Sequence, residues 1–447
     1  MRSHPRSQSP VRSFHRHLVA IVSFSFSAGS LTGHAQISLT SAIEQALQKS
    51  ERMQAAEADI KKARASLAET RDVFVPSVTI ASGLGASSGI TLSVPTVFTA
   101  NAQSLVFNYS QRNYIRASNF GVEAATHSWN DARQQVEEDV ATTYFSLENA
   151  SEKEAALKTQ LQSVSDLVSI VNQRLAAGYD TELELLKAQK EAAQVELQRL
   201  QVSGRIGTLT QHLAGLMGVP RGLVSMPVKA ESADEVIDWS LRLDKTCSVS
   251  GSVLAAQAEA RAKWQTSVGD TRYTWRPQVG LQAQYGRISP FNNVSSYYNL
   301  NGNYNTLAVG IQIQLPLLDL GRRARARGSA AEASRAQHDA ALMQQQQVET
   351  CGQLQRSISE LVAQEKLSRL EYKIAAMQFE ETLTRVSNGS GPDAVPLTPK
   401  DQQRARLQVG QKCLDSLVIK GQLMESYIHY LRQTDGLDRW IKENRTD

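Results

Sequence analysis

Apolar positions change period several times along the chain, and each change marks an element. From Ser38 the spacing is helical, through an alanine-rich stretch that includes Ala55 and Ala56, until Pro76 stops it; this predicts a helix of about 35 residues. Val78 and Ile80 then alternate, a Gly/Ser-rich stretch runs from Ser82 to Gly89, and a second strand ends near Phe107. No proline lies between Pro95 and Pro220, and inside that interval Leu157, Leu161, Val164, Val168, Val171 and Leu175 step by 4, 3, 4, 3 and 4, a coiled-coil seam. Beyond Gly178 the chain reverses, and Leu183, Leu186, Ala193, Leu197 and Leu200 predict the returning partner helix.

The same succession then recurs. Glu69-Thr70-Arg71-Asp72-Val73-Phe74-Val75-Pro76-Ser77-Val78 returns as Asp270-Thr271-Arg272-Tyr273-Thr274-Trp275-Arg276-Pro277-Gln278-Val279, again behind an alanine-rich stretch with Ala255 and Ala256. Phe107 to Arg112 matches Leu318 to Arg323, and Arg174 to Gly178 matches Arg385 to Gly389. In the second copy Val279, Leu281, Ala283 and Tyr285 alternate, a polar loop spans Ser289 to Asn305, and Leu307, Val309, Ile311, Ile313 and Leu315 alternate again. A seam follows at Leu354, Ile358 and Leu361, then Leu367, Leu370, Ile374 and Met377. Two repeats, 36–240 and 241–447, each ordered helix, β-hairpin, long helix and return helix, therefore replace the three domains that 447 residues suggest. Each long helix, from Gln111 or Arg322 to Gly178 or Gly389, covers about 67 residues and about 100 Å. Four strands leave open edges, so a closed barrel needs several chains.

The start of the chain carries a different signal. Arg2, Arg6, Arg12 and Arg16 precede an apolar stretch from Leu18 to Leu31, and small residues lead to Ala35; residues 1–35 are expected to be a secretory signal peptide. No later apolar run is long enough for a spanning helix, so a membrane crossing has to be a β-barrel. The formal charge of +4 belongs to those four arginines, which leaves the remainder balanced. No basic block remains to mark a nucleic-acid partner. Hydrophobic content of 41% suits a thin, doubly wetted wall better than a thick core. Cys247, Cys351 and Cys413 are odd in number and widely spaced, which supports neither a disulfide framework nor a zinc site.

The opening Ser38-Leu39-Thr40-Ser41-Ala42-Ile43-Glu44-Gln45-Ala46-Leu47, the junction from Arg71 to Pro76, and the segment Gly178 to Ala188 together resemble the TolC family of outer membrane efflux proteins. The resemblance covers nearly the whole chain after Ala35. It implies a mainly α fold with a β-barrel part: an α-helical barrel of duplicated long-helix units, with four strands per protomer contributing to a trimeric, twelve-stranded transmembrane barrel. It also implies a homotrimer that meets outer membrane lipid, a periplasmic adaptor and an inner-membrane transporter of RND or ABC type. Such a trimer would be the exit duct of an efflux pump or a type I secretion system, in the outer membrane and extending into the periplasm. No cofactor or metal is implied. The competing reading is an exported coiled-coil structural or adaptor protein, which has no need of two alternating strand pairs.

Two groups of residues are candidates for function. Arg174, Gly178, Tyr179, Asp180, Thr181, Glu182 and Glu184 at the first tip, with Arg385, Gly389, Thr398 and Asp401 at the second, are expected at the periplasmic entrance and the adaptor contact. The spacings Thr181 to Glu184 and Thr398-Pro399-Lys400-Asp401 are also those of capping boxes that start the return helices. Acids repeated around a trimer would favour cations there. Tyr273, Trp275, Tyr285, Tyr297, Tyr298 and Tyr304 cluster about the second hairpin as a candidate membrane-interface girdle. Arg322, Arg323, Arg325 and Arg327 form either a solvated helix start or an anchor at the headgroup boundary. Nothing points to an enzyme: His127, His212, His338 and His429 stand alone, Glu137-Glu138-Asp139 is expected on a solvated face, and no nucleophile, phosphate-loop or zinc-protease motif is present.

Overall fold

The computed structural model describes residues 37–83, 96–223, 247–288, 305–388 and 397–443. The expected leader, Tyr297, Tyr298, Tyr304 and Gly389 lie outside the described residues. The order of elements is α1 (Leu39–Lys49), α2 (Glu51–Asp72), β1 (Ser77–Ser82), β2 (Thr96–Asn108), α3 (Gln111–Ala176) and α4 (Glu182–Met217). Then come α5 (Gly251–Tyr273), β3 (Gln278–Ile288), β4 (Asn305–Gln314), α6 (Leu320–Asn388), α7 (Pro399–Gln433) and α8 (Leu437–Glu443). The single first helix expected up to Pro76 is two helices, because Ser50 is extended (φ −61°, ψ 128°) and its carbonyl starts α2 by accepting from Met53 and Gln54. The long helices have 66 and 69 residues. Each is therefore about 100 Å long.

The four strands form one antiparallel sheet in the order β1-β2-β3-β4, so the two hairpins join through β2 and β3. Pairing of Val78 with Ala102, Ala102 with Ala283, and Ala283 with Val309 fixes the register across the whole sheet. Because side chains alternate along a strand, that register puts Ile80, Ala100, Tyr285 and Leu307 in one row, with Leu281 beside Ile311 and Val279 beside Ile313. The opposite face carries Thr79, Asn101, Gln103, Gln282, Gln284 and Gln312. One face is apolar, the other polar, and β1 and β4 are uncovered edges.

Helix packing follows the same lateral order. Near the sheet α2 packs on α3, α3 on α5 and α5 on α6; farther away α4 packs on α3, α3 on α7 and α7 on α6. Of the seam expected on α3, Leu157, Val164 and Val171 are buried and Leu161, Val168 and Leu175 half-buried; the buried three, joined by Leu167, pack with Ala188 and Val195 of α4 and with Leu407 and Leu414 of α7. On α6 the first part of the expected stripe, Leu354, Ile358 and Leu361, packs into the main core, but its later part and the stripe on α4 are not buried. Leu183, Leu186, Leu197 and Leu200 are 55–61% exposed, and Leu367, Leu370, Ile374 and Met377 are 50–73% exposed. Heptad spacing specifies a seam but not its partner. Within one chain α4 turns Ala188 and Val195 inward, and α6 turns Glu365, Ser368 and Ala375 inward.

The main core lies where α1, α3, α4, α6, α7 and α8 meet, around Ile43, Val140, Leu213, Ile358, Ile428 and Trp440. Cys247 and Cys351 form a disulfide there, across 104 positions of sequence and a Cα separation of 6.3 Å. This corrects the expectation from cysteine spacing. The pair is assembled by packing: the Gln347 amide donates to the Ser248 carbonyl (2.6 Å) and accepts from the Ser250 amide (3.1 Å), which holds the segment ahead of α5 one helical turn from Cys351. The acidic run is also corrected. Glu137 and Glu138 are buried, Glu138 between His429 (2.5 Å) and Arg432, while Arg133 holds Glu137 (2.9 Å) and Arg52 holds Asp139 (2.7 Å). His429 is thus not isolated, and Glu138 stays ionised because these partners outweigh the upward push of its burial.

Candidate functional site

Both return helices start at the end farthest from the sheet along α3 and α6, and there the two tips are joined. At the first tip α3 stops through its backbone: Gly178 adopts φ 79° and donates to the Leu175 carbonyl, and Tyr179 donates to the Arg174 carbonyl. This is a Schellman stop, which needs the left-handed conformation that glycine adopts without cost. Tyr179 is left 76% exposed. Arg174 turns back to donate from Nε to Asp180 (3.0 Å) and lies over the Tyr179 ring.

The second tip is capped as expected. The Asp401 carboxylate accepts from the Thr398 amide (2.9 Å) and hydroxyl (2.7 Å), with Pro399 at the first helical position. The first tip departs from that pattern: Thr181 makes no side-chain cap, and Glu184 instead faces the second tip. Lys400 Nζ donates to Asp180 (3.2 Å) and Glu184 (3.0 Å), and Glu184 also accepts from Arg404 (2.8 Å) and Lys187 (2.9 Å). Lys400 is 90% sheltered, and Asp180 is equally enclosed. Glu184 has its pKa drawn down to about 2 by Lys187, Lys400 and Arg404. Burial pushes Asp180 upward, but its bonds from Arg174 and Lys400 outweigh this and hold it low.

The acids are therefore clamped by cations, not left bare to attract them. Glu182 is exposed and unpaired among the described residues, and Arg385 pairs with Glu381 on its own helix (2.5 Å), apart from the cluster. Lys400 and Arg404 were missed by sequence reasoning because a lysine between a cap and its acid looks like an ordinary solvated first turn. Their repeated i, i+4 spacing on a return helix opposite Asp180 and Glu184 was the available signal.

At the other end, aromatics gather at both ends of the sheet. Phe98 and Tyr285 meet edge to face next to the loop ends, and the Tyr285 hydroxyl reaches Asn305 (2.9 Å). At the helix ends Arg322 stacks on Tyr273, and Arg276 lies between Tyr109 and Trp275. A sheet with an apolar face, a polar face and aromatic ends has the surfaces of a membrane barrel segment.

Residues 42–219 match the family model described as outer membrane efflux protein. The chain is 25% identical over 255 residues to the proteases secretion protein PrtF of Dickeya chrysanthemi, a match covering 54% of this chain and 52% of that one. It is 25% identical over 342 residues to the protein CyaE of Bordetella pertussis, covering 73% of this chain and 69% of that one. The chain thus aligns with about half of the first relative's length and about two thirds of the second's. Its fold is similar to that of the outer membrane protein VceC of Vibrio cholerae, with a TM-score of 0.70 at 19% identity, covering 89% of this chain and 96% of that one. The Campylobacter jejuni CmeC outer membrane channel gives a TM-score of 0.66 at 17% identity, covering 91% and 89%.

Proposed function

We propose that the chain, matched over residues 42–219 by the outer membrane efflux protein model, is a member of the TolC family, and that three copies close into a single outer membrane duct that continues through the periplasm. The chain reads as a tandem duplication, 36–240 and 241–447, behind a cleaved leader. The observation that carries the duct is the pair of uncovered edges. Along one side of the protomer run β1, α2 and α4; along the other run β4 and α6. Each side offers unpaired strand groups at one end and a heptad apolar stripe at the other. Pairing β1 with the next copy's β4, and α4 with its α6, satisfies both at once. In the closed barrel the apolar sheet face meets lipid and the glutamine-rich face lines water.

The duct serves as the passive exit of a tripartite efflux pump or type I secretion system. A periplasmic adaptor meets the tips around Gly178 and Thr398, and an inner-membrane transporter supplies the energy and selects the cargo. The similarity to the proteases secretion protein of Dickeya supports the secretion role. The exported scaffold alternative does not explain a four-stranded sheet with one predominantly apolar face. The test is to purify the protein from outer membranes in detergent and compare it with a Leu197→Glu, Ile374→Glu variant. The native chain should run as a heat-modifiable trimer that conducts in planar bilayers, and the variant should be monomeric. A protein soluble in the periplasm, or a variant that trimerises normally, overturns the reading.

A further inference from the structure

Charge is distributed unevenly along the duct. Where helices join strands, at 69–76, 108–118, 268–277 and 315–327, there are nine arginines, no lysine and four acids. Two of the acids are occupied, Asp319 by Arg322 (2.9 Å) and Asp270 by the Tyr114 hydroxyl (2.7 Å). Arg112, Arg116, Arg272, Arg323, Arg325 and Arg327 are exposed and have no ion-pair partner among the described residues. Three of them occupy the first two turns of α6, where the helix dipole disfavours cations; the acid there, Asp319, is taken up by the Arg322 amide (2.9 Å) and guanidinium. The adjoining surface is apolar: Leu317, Leu318 and Leu320 are 68–83% exposed, and Trp275 is exposed as well.

We propose that this collar binds the phosphates of anionic phospholipids in the inner, periplasmic leaflet of the outer membrane. The placement rests on the duct reading, in which the sheet spans the bilayer and the helix ends emerge on the periplasmic side. Arg323 to Arg327 begin about 5 Å along α6 and end about 10 Å along it, within the headgroup layer and about one Debye length of it. Arginine alone, without lysine, suits a phosphate, because its planar fork donates two parallel bonds while its stem covers apolar surface. Leu317, Leu318 and Leu320 supply that surface on the acyl side. An anionic headgroup removes the conflict between the arginines and the dipole of α6. A second copy offers less: only Glu69 and Asp72, at the α2 end that would face the next α6, are exposed acids of the collar without an ion-pair partner, against six free arginines.

The test reconstitutes the full-length trimer into phosphatidylcholine bilayers containing phosphatidylglycerol and measures, with spin-labelled lipids, which headgroup occupies the shell next to the protein. Each arginine near an anionic surface contributes on the order of fivefold in association. The native protein should therefore enrich phosphatidylglycerol several-fold, with the preference falling as salt rises, and an R323Q/R325Q/R327Q variant should lose most of it. Arg335→Gln, two turns farther along α6, should keep it. Equal shells for native and variant trimers overturn the collar but leave the duct standing, since both have inserted. A variant whose trimers loosen without any change in lipid preference assigns the arginines to subunit pairing and overturns the proposal. So does a collar-dependent preference for the phosphates of lipid A over phosphatidylglycerol, which would place the collar at the outer leaflet. A native protein that fails to insert overturns the duct reading itself.

Discussion

Replacing Lys400 with alanine isolates the link between the two tips. Its Nζ lies 3.2 Å from Asp180, and both side chains are about nine-tenths sheltered. Two unit charges at about 3 Å with an effective dielectric of about 20 attract by roughly 5 kcal/mol. Desolvation of both ions and the ordering of a long side chain remove most of this, and Asp180 keeps Arg174 when Lys400 is gone. The expected net loss is about 1–2 kcal/mol per protomer. The bond to Glu184 is left out of that figure, because Arg404 and Lys187 remain on it. Taking the link as broken when the proposed duct opens, three tips releasing together change the ratio of closed to open duct by about 3–6 kcal/mol, roughly a hundredfold to ten-thousandfold. Single-channel recording in planar bilayers reads this directly: the native trimer should be mostly closed, and K400A should show long, high-conductance openings. D180A/K400A should open little more than the stronger single variant, as expected for two residues acting through one contact. The carboxylates have depressed folded values, so their contribution is present above the unfolded range near pH 4 and is lost only as pH falls through the folded value, about 2 for Glu184. Conductance should therefore be flat from pH 7 to about pH 4. K400A trimers with native heat stability and unchanged conductance would refute the link as a latch.

Three further outcomes follow from the geometry. Maleimide labelling of the unfolded chain should find one thiol, Cys413, before reduction and three after it, and C247S/C351S should lose about 2–4 kcal/mol of stability in denaturant titration. Gly178→Val meets no neighbour with its Cβ but is forced into φ 79°, so trimers should form normally while cross-linking to the adaptor fails. Unchanged cross-linking removes Gly178 from the contact. Burial, and then the nearby Asp438 carboxylate, raise Glu137 to about 8, so the native state holds a proton that the unfolded chain releases near pH 4. Stability should fall as pH rises from about 5 to 8, by the order of a few kcal/mol, and Glu137→Gln should flatten that slope in thermal melts.

What the sequence disclosed divides along a physical line. Local patterns were legible: strand alternation gave β3 and β4 almost to their ends, glycine marked the stop after α3, and Thr-Pro-Lys-Asp marked the cap of α7. Contacts set by tertiary packing were not. Glu137 and Glu138 look solvated because nothing near them in sequence announces Arg432, about 294 positions away by the separation of its bond to Glu138. Cysteine spacing is equally silent when a long helix carries Cys351 back beside Cys247.

The stripes on α4 and α6 fall between these cases. Leu197 and Ile374 lie on heptads as regular as the one that buries Val164, yet a single chain leaves both in water. Periodicity reports that a helix face must be covered; whether the same chain covers it depends on where the element sits in the lateral order. Here α3 and α7 are interior and are covered, whereas α4 and α6 are terminal and, at Leu197 and Ile374, are not. The sheet has the same arrangement, with β2 and β3 paired on both sides and β1 and β4 on one. Because the uncovered helix stripes and the uncovered strand edges lie on the same two flanks, one lateral rule of assembly satisfies both, and in the proposed duct the membrane and periplasmic parts close together.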